Sequence, residues 1–180
     1  VSAALLTPVI CKLMRTGLRF LSNVTPQALL AYIHDDLYHE LSNAVMFTTM
    51  FIGHYHPATR TVVYSNAGHS PVIYRPAHGH ARMIEADGPP VGLLDQNSWS
   101  NCKLTLNPGD LLLIGTDGIT EARNSQGAMF GYERLLGLVD QLAAQDVRTI
   151  ANEMFAAVHH FAPSRHYDDD QTMVLFKGVG

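Results

Sequence analysis

The chain is poor in several things that would settle its class at once. It has two cysteines in 180 residues. Cys11 and Cys102 lie far apart, which gives neither a disulfide framework nor a zinc-ligand spacing, so a reducing, cytoplasmic setting is expected. It has no basic excess: 12 Lys and Arg stand against 16 Asp and Glu, for a formal charge of −4. With no basic stripe, nucleic acid is excluded as a partner. It has no long hydrophobic run. The apolar stretches are broken by Lys12, Arg15 or Asp117 well short of the roughly 20 residues a membrane span needs. The opening "VSAALLTPVI" lacks the basic start of a signal peptide. It also lacks a methionine, so the chain is expected to be cut from something longer. No repeat and no low-complexity linker is visible, so residues 1–180 read as one domain.

What is present is ordinary globular material, 47% apolar, with a clear change of texture along the chain. Leu5, Leu6, Val9, Ile10, Leu13, Met14 and Leu18 have helical spacing, with Pro8 near the start. Thr25 and Pro26 mark a second helix start, and Leu29, Leu30, Ile33, Leu37 and Leu41 make one face of it. From Phe47 the signal is β. "FTTMFIGHY" and "TVVYSNAG" flank a turn, "HPATR", and "SPVIYRP" is expected to continue the strand after Gly68. "ARMIEA" and "NCKLTL" are further short strands, and "PGDLLLIGT" is the most apolar one. Helical patterns return over residues 132–142 and 147–161, before a last strand, "QTMVLFKG". Segregated runs of this kind predict an α+β fold with antiparallel sheet.

Two acidic places stand out. Asp117 follows the most apolar strand directly, and Asp168, Asp169 and Asp170 stand immediately before the last one. Adjacent acids repel unless solvent or a cation screens them. If the two strands are antiparallel neighbours, both acidic ends lie at one edge of the sheet. Hard oxygen ligands held there suit Mg²⁺ or Mn²⁺. Glu121 reads either as a ligand-orienting acid or as a helix N-terminal acid favoured by the dipole. Asp110, in a Pro-Gly-Asp turn, reads as structural, as do Asn66 and His69. Arg165 and His166 lie near the acids in sequence.

The segment "PGDLLLIGTDGITEARNSQGAMFGYERL" resembles the SpoIIE/RsbU branch of the metal-dependent PPM protein phosphatases, with its P-G-D, T-D-G, E-A-x-N and F-G elements in order. "NAGHSP", Asn66 to Pro71, resembles that family's N-A-G-H-x-P. "DGPPVGL" resembles its G-x-P-L-G, with Val91 where leucine is usual. "DDQT", Asp169 to Thr172, resembles its terminal D-D-x-T. The likeness runs through nearly the whole chain.

The resemblance implies an antiparallel β-sandwich flanked by helices, with two Mn²⁺ or Mg²⁺ ions at one end, and direct attack of water on a phosphoserine or phosphothreonine. Carried over residue by residue, Asp117 is the metal ligand of T-D-G and Asp169 that of D-D-x-T, with Asp170 as its rival; Asp168 is solvated or outside the ligand set. It further implies a phosphorylated anti-sigma-factor antagonist as substrate and an upstream sensor or receiver domain, as in bacterial signalling through response regulators and sigma factors. The family's G-D-x-S-G-x-G segment leads into a helix that continues A-A-L-L, and this chain opens "VSAALL". The expectation is therefore a domain missing its N-terminal segment, with part of the metal site. Strand edges near residues 47–55 or 61–66 would then be open, and a homodimer or larger assembly is expected. The alternative reading is a catalytically silent phosphatase fold used for protein binding or dimerisation.

Overall fold

A computed structural model describes residues 3–163 and 169–180 of the chain. They divide into two compact units, Val1–His69 with Ala86–Thr105, and Ser70–Glu85 with Leu106–Gly180. Each unit is assembled from separate stretches of chain, which is why no linker marks a boundary in the sequence.

The first unit opens with α1 (Ala3–Phe20), which runs through Pro8, and α2 (Pro26–Asn43). The Thr25 hydroxyl accepts from the Ala28 amide at 3.1 Å, and Pro26, which has no amide to leave unpaired, takes the first helical position. The periodic leucines of α2 turn inward: Leu30 and Ile33 are fully buried, in a cluster with Leu13, Ile52, Val91 and Trp99. The sheet beneath them has the order β1–β2–β5, with β1 (Met50–His56), β2 (Thr61–Ala67) and β5 (Cys102–Thr105) all antiparallel. The β1–β2 connection is a 3₁₀ turn, Pro57–Thr59, closed by Arg60 in the left-handed region. The β signal at Phe47 is realised later, from Met50, with Thr48 making only an isolated bridge to Val91. Thr61–Tyr64 pairs on both sides, so the expectation of an open edge at residues 61–66 is wrong there; β1 and β5 are the edge strands of this sheet.

The strand "SPVIYRP" does not continue β2. Asn66 Oδ1 accepts from the His69 amide at 2.8 Å and Gly68 turns at φ +67°, with Pro90 packed where a Cβ would stand. The chain leaves the first sheet at this turn. The next strand, β3 (Val72–Arg75), belongs to the sheet of the second unit.

That second sheet has the order β4–β3–β6–β7, again antiparallel, with β4 (Arg82–Ile84), β6 (Leu111–Gly115) and β7 (Met173–Lys177). One face carries α4 (Gly131–Leu142) and α5 (Val147–Phe161). Leu135, Val139, Ile150, Met154 and Val158 meet Leu111, Leu113 and Ile119 in a single buried cluster. The Lys177 ammonium donates to the carbonyls of Ala143 (2.9 Å) and Gln145 (2.6 Å), answering unpaired carbonyls just past α4. None of the described helices is long and apolar enough to cross a membrane.

Candidate active site

β6 is buried along Leu111–Leu113 and ends at Gly115, opposite Met173 at the start of β7. Antiparallel pairing therefore puts the exit of one strand beside the entrance of the other. Thr116 leaves the strand in an extended conformation, and Asp117 opens a single helical turn, α3 (Asp117–Thr120). Asp169 and Asp170 lie just ahead of β7. The expectation that both acidic places share one sheet edge is met for these three residues. Asp168, Arg165 and His166 lie outside the described residues.

A short set of hydrogen bonds clasps the two segments. The Thr116 amide donates to the Thr172 carbonyl (3.0 Å), and the Thr116 hydroxyl donates to the Asp170 carbonyl (2.9 Å) while accepting from the Thr172 amide (2.9 Å). Gln171 Nε2 donates to the Gly118 carbonyl at 3.1 Å. At Gly118 the two backbones pass close together: a Cβ there would stand 2.5 Å from the Asp170 carbonyl oxygen and 3.2 Å from that of Asp169. Only glycine permits this approach. Asp117, Asp169 and Asp170 are all exposed, and Asp169 Oδ1 accepts from the Asp170 amide at 2.7 Å. The carboxylates are thus carried on a fixed backbone and remain open to solvent.

Three participants escaped the sequence reading. Thr116 is the clasp, although its place in T-D-G marked it. Gln171 occupies the variable position of D-D-x-T, where no pattern could single it out. Tyr132, just after the Phe130–Gly131 pair, hydrogen-bonds to Thr120 and Ser70. Burial pushes its phenol up; those two hydrogen bonds oppose the shift, and the charges of Glu85 and Asp117 add to it. Glu121 is not at a helix start. It follows α3 as its C-terminal cap, its amide donating to the Asp117 carbonyl at 2.8 Å, because the helix is one turn long and already begun at Asp117.

Asp110 is confirmed as structural. It is 2% exposed and accepts from the Ala77 amide (2.6 Å), the Asn107 amide (2.8 Å) and the Tyr74 hydroxyl (2.8 Å). Asn66 likewise serves its turn, and the His69 ring lies 6.5 Å from that of Phe51. Among the described residues no group of three or more His, Cys, Asp or Glu side chains is arranged to hold a metal ion.

The fold is that of PP2C phosphatase domains: the SiaA-PP2C domain of Pseudomonas aeruginosa superposes with a TM-score of 0.84 at 18% identity, covering 97% of this chain and 69% of that one. By sequence the chain belongs to the Stage II sporulation protein E (SpoIIE) family, whose model matches residues 1–178. It is 32% identical over 138 residues to protein IcfG of Synechocystis sp., covering 77% of this chain and 22% of that protein. It is 25% identical over 138 residues to the phosphoserine phosphatase RsbU of Bacillus subtilis, covering 76% and 41% respectively. The chain therefore spans less than half the length of these curated relatives.

Proposed function

We propose that this chain is the phosphatase domain of a signalling protein and that it acts on a phosphoserine of a small regulatory protein, of the anti-sigma-factor antagonist kind, with Asp117 and Asp169 holding divalent cations. The observation that carries this reading is the β6–β7 clasp, which fixes Asp117 and Asp169–Asp170 at one sheet edge. Family membership and the likeness to RsbU, named a phosphoserine phosphatase, support the reaction class.

The donor chemistry fits Mg²⁺ or Mn²⁺. All three side chains offer carboxylate oxygens, and no thiol or imidazole belongs to the set, as a zinc site would usually require. The three do not by themselves make a full coordination sphere, so they stand as one part of a two-ion site. When bound, the cations supply an activated water at neutral pH and neutralise phosphoryl charge. The chain's own contribution is placement. Thr116 sets the separation of the two segments, Gly118 lets them touch, and the exposed carboxylates face solvent, where a phosphorylated protein can reach them. Tyr132 holds a protonated phenol near Asp117 and is available as a hydrogen-bond donor.

The test is Mn²⁺-dependent phosphate release from a phosphoserine substrate. Asp117→Asn removes charge and little shape, so it should leave the fold intact and lower turnover by orders of magnitude, because losing a ligand loses both the activated water and the charge neutralisation. Wild-type turnover in that variant at saturating Mn²⁺ overturns the assignment. A protein with no turnover that still binds its partner would favour the silent docking module instead. Within the acidic run, Asp169→Ala should weaken Mn²⁺ binding by calorimetry more than Asp168→Ala does. Equal effects would mean a diffuse negative patch that salt screens.

A further inference from the structure

The ten histidines show no convergent spacing in the sequence, yet the fold brings two of them together. His54 and His56 are two residues apart on β1, so their side chains leave the same face of the strand. Their ring centroids are 4.1 Å apart with the planes inclined at 45°. Both residues are exposed, and neither ring makes a hydrogen bond to any described residue. Strand register defines their surroundings. His54 stands opposite Val63, which in turn opposes Lys103, and His56 stands opposite Thr61, which opposes Thr105. Directly opposed residues share a face, so Lys103, one strand beyond Val63, is the charged side chain in these rows. Ile52, the next residue on the same face, is 7% exposed and packed in the core. The strand is therefore anchored immediately before the pair, and the rings stand on fixed backbone.

Two imidazoles on adjacent same-face positions of a strand, with centroids 4.1 Å apart, bring two nitrogen-donor rings within reach of one ion. We infer that His54 and His56 form a two-imidazole chelate for a borderline transition cation, of the Cu²⁺ or Zn²⁺ class. Imidazole suits these ions, whereas Mg²⁺ demands oxygen, and for nitrogen donors affinity peaks at Cu²⁺ among the first-row divalent ions. Two cis nitrogens complete half of a tetragonal Cu²⁺ plane, with water in the remaining positions. The site shares no residue with Asp117, Asp169 and Asp170 and differs from them in donor chemistry.

The experiment is Cu²⁺ titration of the whole chain by calorimetry and electron paramagnetic resonance. The expected result is binding whose spectrum shows coupling to two imidazole nitrogens. His54→Ala and His56→Ala should each lower affinity by at least the roughly tenfold that loss of even an outer-shell partner costs a metal site. Asp117→Asn should leave binding unchanged, and excess Mg²⁺ should not displace the copper. Both histidines are exposed, so the variants are expected to fold, which circular dichroism checks; His54→Gln and His56→Gln provide a second pair. Unaltered Cu²⁺ affinity in either single-histidine variant, or a spectrum without nitrogen coupling, overturns the proposal. Loss of binding in Asp117→Asn alone would also overturn it, by assigning the ion to the carboxylate edge.

Discussion

Asp110 and Asp117 are seven residues apart on the two sides of one strand, and their surroundings separate a structural acid from a ligand-holding one. Asp110 is buried with three donors on its two oxygens, Ala77, Asn107 and Tyr74. At 2% exposure its oxygens are closed to any ligand from solvent. Replacing one carboxylate oxygen with an amide NH₂ in Asp110→Asn would set donor against donor, and should lower unfolding stability by about 2 kcal/mol in a denaturant titration. The same contact governs Tyr74. Burial first, and then the bond and charge of Asp110, push its phenol up to about 12 from the model-peptide value of 10.0. The folded value lies above the unfolded one, so the neutral phenol stabilises the fold fully below pH 10 and this contribution is lost as pH climbs through about 12. Spectrophotometric titration of Asp110→Asn should find Tyr74 shifted down but still raised, since burial is unchanged. The Pro-Gly-Asp turn made the role of Asp110 legible in sequence. Its partners were not, because Tyr74 and Ala77 lie more than thirty residues away.

At the scale of elements, local chemistry was legible wherever a signal recurs over several turns or residues. α2 begins where Thr25 and Pro26 place it, and its leucine face is the buried one. Thr25→Ala should therefore cost about 1 kcal/mol, measured as a shift in thermal or denaturant midpoint, and Thr25→Asp should restore most of it. β6 and β7 were visible as apolar runs, and their acidic ends suggested the pairing that the fold contains. Two features were hidden for physical reasons. α3 is one turn long, too short to show a period, so of the two readings of Glu121, ligand-orienting acid or helix-start acid, the second fails: it stands at a helix end. β propensity is the same in β2 and β3, so the sequence signals continuation where the chain changes sheets. Propensity describes how a residue fits a pleated surface, not which strand it will pair with.

At the scale of the whole molecule, each unit closes its own core from non-contiguous stretches, and neither division is written in composition. Chain connectivity hides it, since the chain passes between the units three times, after His69, Glu85 and Thr105. The clasp at the acidic edge has a consequence of its own for the order of folding. Thr116 reaches Asp170 and Thr172 across separations of 54 and 56 residues, with α3, α4 and α5 formed in between. Local helices need only neighbours, whereas this contact must close a long loop before anything rewards it. The two acids thus cannot be neighbours in any partly folded chain whose last strand is undocked. In refolding from denaturant, recovery of helical signal should run ahead of recovery of Mn²⁺ binding, and the lag between them times the docking of β7. Coincident recovery of both signals would show that the last strand pairs as early as the helices form.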